Sequence, residues 1–227
     1  MTSTREPEAR RGRPPKGAPH LSRDAIVAAA LEAISLHGID GISLRRVAAA
    51  LGVDPKSLYN HVSGKDGLLD AVAEHILGSI PLPTPTGDVR RDLRAIAHAF
   101  RDSTQAHPKA APLVLTRQLT SPAGLAPVNA VLTALHAAGC PRQTAVPLLR
   151  SLVATVTGTL LREAHATPSY GTADTLAIAQ RQTALEQSGF PRLAEAAADL
   201  ARFDSDAEFA FTLDLALDAL MTRLGQP

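Results

Sequence analysis

Between Ser43 and His61 two helix starts flank a single helix stop, and this arrangement leaves the chain few ways to fold. Ser43 is suited to cap a helix N-terminus, and Leu44, Val47, Ala48 and Leu51 follow on one face until Gly52 ends the run. Asp54 then offers a second cap. Pro55 stands at the first helical position, where a missing N–H and a fixed φ are tolerated. The helix this predicts runs through Leu58-Tyr59-Asn60-His61. Leu58 and Val62, four residues apart, are expected to face a small core, while Lys56, Tyr59 and Asn60 face away from it. An earlier helix opens at Ser22, carries Asp24 in its first turn, repeats Ile26, Ala30, Ala33 and Ile34 at helical spacing, and stops at Gly38. Two short helices joined by a tight glycine turn and braced by a third make a helix-turn-helix.

Ser63 is expected to cap a fourth helix, with Asp66 completing a capping-box variant. That helix extends to about Ile80, where Pro81-Leu82-Pro83-Thr84-Pro85 breaks it. Beyond it, apolar periodicity predicts helices over 88–106, 109–118, 124–138, 142–166, 174–187, 190–201 and 205–224, the last opened by a Ser205/Glu208 capping box. Aromatics are only 3% of the residues, the apolar content is mostly Ala, Leu and Val, and no alternating strand pattern occurs. The chain therefore reads as all-α: an N-terminal three-helix helix-turn-helix domain joined by helix four to a larger helical domain. The expected divisions are a disordered basic arm (1–20), the helix-turn-helix DNA-binding domain (21–80), a Pro-rich linker (81–87) and the larger helical domain (88–227).

Net charge is +1, but residues 1–65 hold ten Lys/Arg against six Asp/Glu (+4), while residues 66–227 hold thirteen against sixteen (−3). A polyanionic partner belongs at the N-terminus, and double-stranded DNA is the expected one. Asn60 offers the bidentate pattern that suits adenine, and Lys56 and Tyr59 can reach guanine edges, thymine methyls or phosphates. Lys65 sits where a helix start meets the DNA backbone. An ordinary solvated helix face would carry the same residue types. Arg11-Gly12-Arg13-Pro14 resembles the minor-groove hook of some chromatin proteins, with Arg11 and Arg13 entering A·T-rich DNA; a solvated basic tail is the alternative. The lone Cys140 points to a reducing, cytoplasmic setting. No cofactor, metal or catalytic group is expected: the eight His are scattered, and no HExxH, GxSxG or phosphate loop occurs. The charged, Pro-rich N-terminus does not read as a signal peptide, and no membrane partner is expected.

The segment from Ser22 to Leu77 resembles the DNA-binding domain of the TetR family of regulators. The likeness runs through Ala29-Ala30-Leu31, Gly38 to Gly41, Ser43-Leu44-Arg45-Arg46-Val47-Ala48, Leu51-Gly52-Val53, Leu58-Tyr59-Asn60-His61-Val62 and Lys65-Asp66-Gly67-Leu68-Leu69-Asp70-Ala71-Val72. It implies that Arg45 reaches a base or phosphate, that Lys56, Tyr59 and Asn60 read the major groove, and that Tyr59, His61 and Lys65 hold phosphates. Ser43 and Ser57 complete the expected DNA-contacting set.

Two later helices are apolar on more than one face. Val146, Leu149, Val153, Val156 and Leu160 repeat at 3-4-3-4 spacing in one, with Leu148, Leu152 and Leu161 as a second stripe; Phe209, Leu213, Ala216, Leu217, Leu220 and Leu224 line one side of the other. One stripe is expected to pack internally and the other against a second copy; wholly internal helices are the alternative. The family resemblance implies a four-helix homodimer interface, for which Leu149, Val153, Val156, Leu160, Leu213, Leu217 and Leu220 are candidates. The run Phe203-Asp204-Ser205-Asp206-Ala207-Glu208-Phe209 also resembles the tetracycline-repressor type of C-terminal domain. The family implies an effector pocket as well, with Phe100, Thr104, His107, Leu115, Arg117, Leu119, Thr155 and Thr159 as candidate lining, although ordinary core or surface would explain each of them equally. Val114 and Arg117 stand where tetracycline repressors carry a metal-chelating His and a neighbouring Thr, so magnesium–tetracycline binding is not expected. The implied function is a repressor that binds a palindromic operator as a homodimer and is released by a small molecule; a transcriptional activator, or an architectural DNA-binding protein without effector, is the alternative.

Overall fold

The computed structural model describes residues 21–117, 120–165 and 172–225. These form helices, apart from one parallel bridge between Thr172 and Arg202. In chain order they are α1 (Arg23–His37), α2 (Leu44–Leu51), α3 (Pro55–Leu58), α4 (Gly64–Gly78), α5 (Val89–Ala106), α6 (Ala111–Thr116), α7 (Pro122–Ala137), α8 (Arg142–His165), α9 (Thr175–Glu186), α10 (Pro191–Glu195), α11 (Ala197–Leu200) and α12 (Ser205–Leu224).

Local capping sets most of the starts. The hydroxyls of Ser22, Ser43 and Ser121 and the carboxylates of Asp54, Asp88 and Asp174 each accept a backbone N–H from the first turn they precede. Two expected caps are corrected. Ser63 makes no side-chain cap to α4, and Asp66 points instead to an arginine on another element. The cap of α12 is Asp204, which accepts from the N–H groups of Asp206 and Ala207, while Glu208 pairs with Arg162. The helix expected over 190–201 is split at Ala196, whose backbone (φ −94°, ψ 6°) leaves the helical region. The break lets Ala197 and Ala201 bury fully, and α11 packs on α9.

Two cores result. The first joins α1 to α4 and includes Ile26, Ile34, Val47, Leu58, Leu68, Val72 and Ile76; Ala110, Leu113 and Val114 reach into it from the body. The second fills the body between α5, α7, α8 and α12, with Leu93, Leu135, Leu152, Leu160, Phe209, Leu213 and Leu217 at its centre and Cys140 at its edge. Leu82 and Phe100 pack against both. The segment between α4 and α5 is fastened by Asp92, a buried carboxylate on α5. It accepts from the Thr86 hydroxyl at 2.6 Å, the Thr86 N–H at 2.9 and 3.0 Å and the Gly87 N–H at 3.2 Å. The Thr86 hydroxyl above all, against the opposing effect of burial, holds this carboxyl below its ordinary value of 3.8. A depressed carboxylate stabilises the fold above its unfolded pKa and ceases to as pH falls through the folded one. Asp92→Asn is therefore expected to cost about 1.5–3 kcal/mol at pH 7 by denaturant titration, and the deficit should shrink as pH drops below about 4.

The apolar stripes of α8 and α12 resolve differently from the expected interface. Leu149, Val156, Leu160, Leu213, Leu217 and Leu220 are buried in the protomer's own core, because α8 and α12 pack on each other; only Val153 of that set is exposed. The apolar side chains left open are Phe211 and Leu215 on α12, 71% and 61% exposed, and Val153 on α8. The stretch Arg142–Glu163 is long and apolar enough to cross a membrane by length and composition, a property not anticipated from the sequence; part of that apolarity is spent on the internal contact with α12.

Candidate nucleic-acid interface and ligand cavity

The turn between α2 and α3 depends on Gly52, whose φ of +66° is left-handed; its N–H closes on Ala48 and Ala49. α3 then buries Leu58 completely against the first core and presents Lys56 outward. It is a single short turn, which corrects the expected helix through His61: Tyr59 is already its C-cap. The chain nevertheless stays coiled, with N–H groups of Tyr59, His61 and Val62 donating to carbonyls of Lys56, Leu58 and Leu58 at 3.2, 2.9 and 3.0 Å. The i, i+3, i+4 relation of Lys56, Tyr59 and Asn60 thus survives the loss of regular helix. All three are exposed, Tyr59 by 60%, as are Ser43, Arg45 and Lys65; Ser57 and His61 are half-buried.

Charge pairing separates these cations from their neighbours. Arg23 is held by Glu74 at 2.7 Å and Arg46 by the Gly41 carbonyl, whereas no carboxylate among the described residues lies within ion-pair distance of Arg45, Lys56 or Lys65. The Ser43 hydroxyl accepts the Arg46 N–H at 3.2 Å, so it is engaged as a cap. Arg11 and Arg13 lie outside the described residues.

A cavity of about 500 Å³ lies between α4, α5, α6, α7 and α8. Its wall is apolar: Leu77 from α4; Leu93, Ile96, Ala97 and Phe100 from α5; Val114 and Leu115 from α6; Leu125, Pro127, Val128 and Val131 from α7; Leu152, Val153 and Val156 from α8. Thr120 and Thr157 add hydroxyls, and Arg117 is the one charged lining residue among those described. Phe100, Leu115 and Arg117 of the expected set are therefore brought together here. Thr104 is not: it is buried with its hydroxyl donated to the Arg101 carbonyl at 2.7 Å. His107 forms the C-cap of α5 away from the wall, Thr155 and Thr159 turn their hydroxyls to the Ser151 and Thr155 carbonyls within α8, and Leu119 lies outside the described residues. The α7 contribution was missed, although Gly124, Val128 and Val131 recur at helical spacing. Val114 and Arg117, where the likeness to tetracycline repressors breaks, both line the wall. Among the described residues no three His, Cys, Asp or Glu side chains cluster as metal ligands would.

Residues 26–72 match the family described as bacterial regulatory proteins, tetR family, and residues 80–224 match the tetracyclin repressor-like C-terminal domain. An HTH-type transcriptional regulator of Saccharopolyspora erythraea is 39% identical over 125 residues, 55% of this chain and 53% of that protein. The HTH-type transcriptional repressor DrrR1 of Streptomyces coeruleorubidus is 33% identical over 130 residues, 56% of this chain and 48% of its own length. The chain thus spans about half the length of these relatives. The crystal structure of the TetR family protein ActR of Streptomyces coelicolor in complex with actinorhodin superposes with a TM-score of 0.78 at 26% identity, over 89% of this chain and 96% of that one. With one match on the reading domain and another over more than half of its length, the chain belongs to the TetR family of bacterial transcriptional regulators.

Proposed function

We propose that the protein is a ligand-responsive repressor that binds a palindromic operator as a homodimer and lets go when a small molecule enters the body cavity. The observation carrying this reading is the uncompensated Arg45, Lys56 and Lys65 around an exposed Tyr59 and Asn60, on a helix-turn-helix whose fourth helix contributes Leu77 to the cavity wall. Cations without local carboxylates are free for phosphates, and Asn60 and Tyr59 are free for base edges. A single turn of helix reads few base pairs, so two copies about 34 Å apart along the duplex are needed. The open apolar face of α8 and α12 is the natural place for the second copy, and covering it removes Phe211 and Leu215 from water. A second copy there, rather than lipid, accounts for the apolarity of α8. The basic arm around Arg11 and Arg13 adds minor-groove contacts, and the protein acts in the cytoplasm without catalysis, cofactor or metal. The divisions at 1–20, 21–80, 81–87 and 88–227 serve this reading, with α5 and α6 as body elements that touch both cores.

The deciding experiment is selection of bound duplexes from a random pool. An enriched inverted repeat is the expected result; enrichment of A·T content alone would mean an architectural protein. On the selected duplex, Lys65→Ala should weaken binding for all sequences alike and lower the slope of log K against log salt by about 1. Tyr59→Ala should cost roughly 1–3 kcal/mol, with the fold and dimer intact. Normal binding by both variants would rule out this surface.

A further inference from the structure

Arg117 belongs to two places at once. It forms part of the cavity wall, at the end of α6, and from there it reaches the first turns of α4. One guanidinium nitrogen, Nη1, donates to Asp70 Oδ1 and at 3.4 Å to the Asp66 carbonyl, and the other, Nη2, donates to Asp66 Oδ1 at 3.1 Å. Burial by itself would make this guanidinium easier to deprotonate, but its bonds to Asp70 and Asp66 outweigh that and hold its pKa above the ordinary value. A permanent cation therefore stands in a wall that is otherwise uncharged and mostly apolar.

The two carboxylates that hold it are weak competitors. Asp66 is 89% exposed and Asp70 44%, while the Arg117 side chain is only 24% exposed. A solvated ion pair contributes little, because water and salt compensate both partners when it opens. An acid delivered on an apolar ligand meets the same fork with its own apolar body covering the contact from water, where a bidentate, charge-assisted contact is stronger. The consequence for α4 is electrostatic as well as mechanical. Asp66 is adjacent to Lys65, the proposed phosphate contact, and Arg117 now offsets its negative charge. Removing Arg117 from Asp66 and Asp70 uncovers two carboxylates beside the DNA-facing end of α4 and frees that end from α6.

Resting on the reading of the cavity as the effector site, we infer that the effector is a largely apolar molecule bearing an acidic group, a carboxylate or an ionised phenol or enol. Its acid takes Arg117 from Asp66 and Asp70, and the operator is released by this exchange of partners.

Two dyes of nearly equal shape test this: 8-anilinonaphthalene-1-sulfonate, which carries an anion, and N-phenyl-1-naphthylamine, which lacks it. The chain has no Trp, so Leu125→Trp places a sole tryptophan donor on the cavity lining, where its energy transfer, falling steeply with distance, is strongest to a dye bound in this cavity. In that background Arg117→Gln should weaken the sulfonate about tenfold and leave the neutral dye within about twofold, the neutral dye also serving as the control for an intact fold. Asp66→Asn with Asp70→Asn should tighten the sulfonate about threefold or more, since the competitors are gone, and again spare the neutral dye. The sulfonate, but not the neutral dye, should reduce binding to the selected duplex. Equal behaviour of the dyes, or an indifferent Arg117→Gln, overturns the acidic ligand class while energy transfer still reports an occupied cavity. An unchanged sulfonate affinity in the Asp66/Asp70 variant overturns the exchange. Absence of energy transfer from both dyes removes the cavity reading, and the inference falls with it.

Discussion

Phe211→Glu or Leu215→Glu is expected to convert the protein to a monomer and to lower operator affinity by about 100-fold or more, with thermal unfolding of the protomer little altered. Both side chains lie on α12 with most of their surface in water, 71% and 61%, so neither supports the protomer core. Around a two-fold axis each substitution enters the contact twice, putting carboxylates into an apolar patch where they have no partner. The flank of α12 is already committed: Asp214 pairs with Arg94, and Asp218 with Arg90 at 2.6 Å, within the chain. This leaves Phe211 and Leu215 as the apolar anchors of the proposed interface. Leu217→Ala is the contrasting control. Leu217 is fully buried against the second core, and its truncation should cost about 2–5 kcal/mol of protomer stability. Sedimentation, thermal denaturation and gel-shift titration together separate the two effects. A stable monomer from Leu217→Ala and a stable dimer from Phe211→Glu would reverse the assignment of faces.

Arg101→Ala should be the most destabilising single charge removal in the body, by about 3–5 kcal/mol, which for a chain of this size lowers the unfolding temperature by on the order of 10 °C. Its side chain is 8% exposed and joins three helices: from α5 it holds Glu163 on α8, with Nε at 3.2 Å from both carboxylate oxygens, and Asp206 on α12, with Nη2 at 2.7 Å. Its guanidinium also lies 4.6 Å above the Phe209 ring. Hydrogen bonds to Glu163 and Asp206 overcome the opposing effect of burial and hold its pKa above the ordinary value. The cost of removing it comes mainly from Glu163, 10% exposed, which would keep Gln105 at 3.2 Å as its remaining partner. Arg101→Met combined with Glu163→Leu should therefore cost much less than Arg101→Ala. Equal losses in the two variants, by calorimetry, would show that packing of the arginine stem matters more than the stranded carboxylate.

What could be read in the sequence was local. A cap forms between residues two or three apart, and a glycine turn needs only its own backbone, so α1, α2, the Gly52 turn, Asp54-Pro55 and the start of α5 were legible without a partner in view. Where a competing long-range partner existed, local rules failed. Asp66 bonds to Arg117, 51 residues away, and Glu208 to Arg162, 46 residues away. The outward face proposed to read DNA was legible for the same reason the turn was: Lys56, Tyr59 and Asn60 lie exposed in one short segment, with Leu58 buried behind it.

The cavity was legible only in Phe100, Leu115 and Arg117, and the exposed apolar face not at all, because both depend on which face of an apolar helix is turned inward. Periodicity marks stripes on α8 and α12 but gives them equal standing. Their mutual packing buries Leu149, Leu160, Leu213 and Leu217 and leaves Phe211 and Leu215 outside, a choice made by the fit of α5, α8 and α12 around Phe209. Thr155 and Thr157 are two residues apart on one helix, and only the tertiary arrangement puts Thr157 on the cavity wall. The amino-acid sequence by itself thus determined most of the helices, their order and the Gly52 turn, since these follow from interactions within a few residues. The tertiary structure alone decided which arginine lines the cavity, which braces the core and which apolar side chains stay exposed, since those choices come from burial shared between segments far apart in the chain.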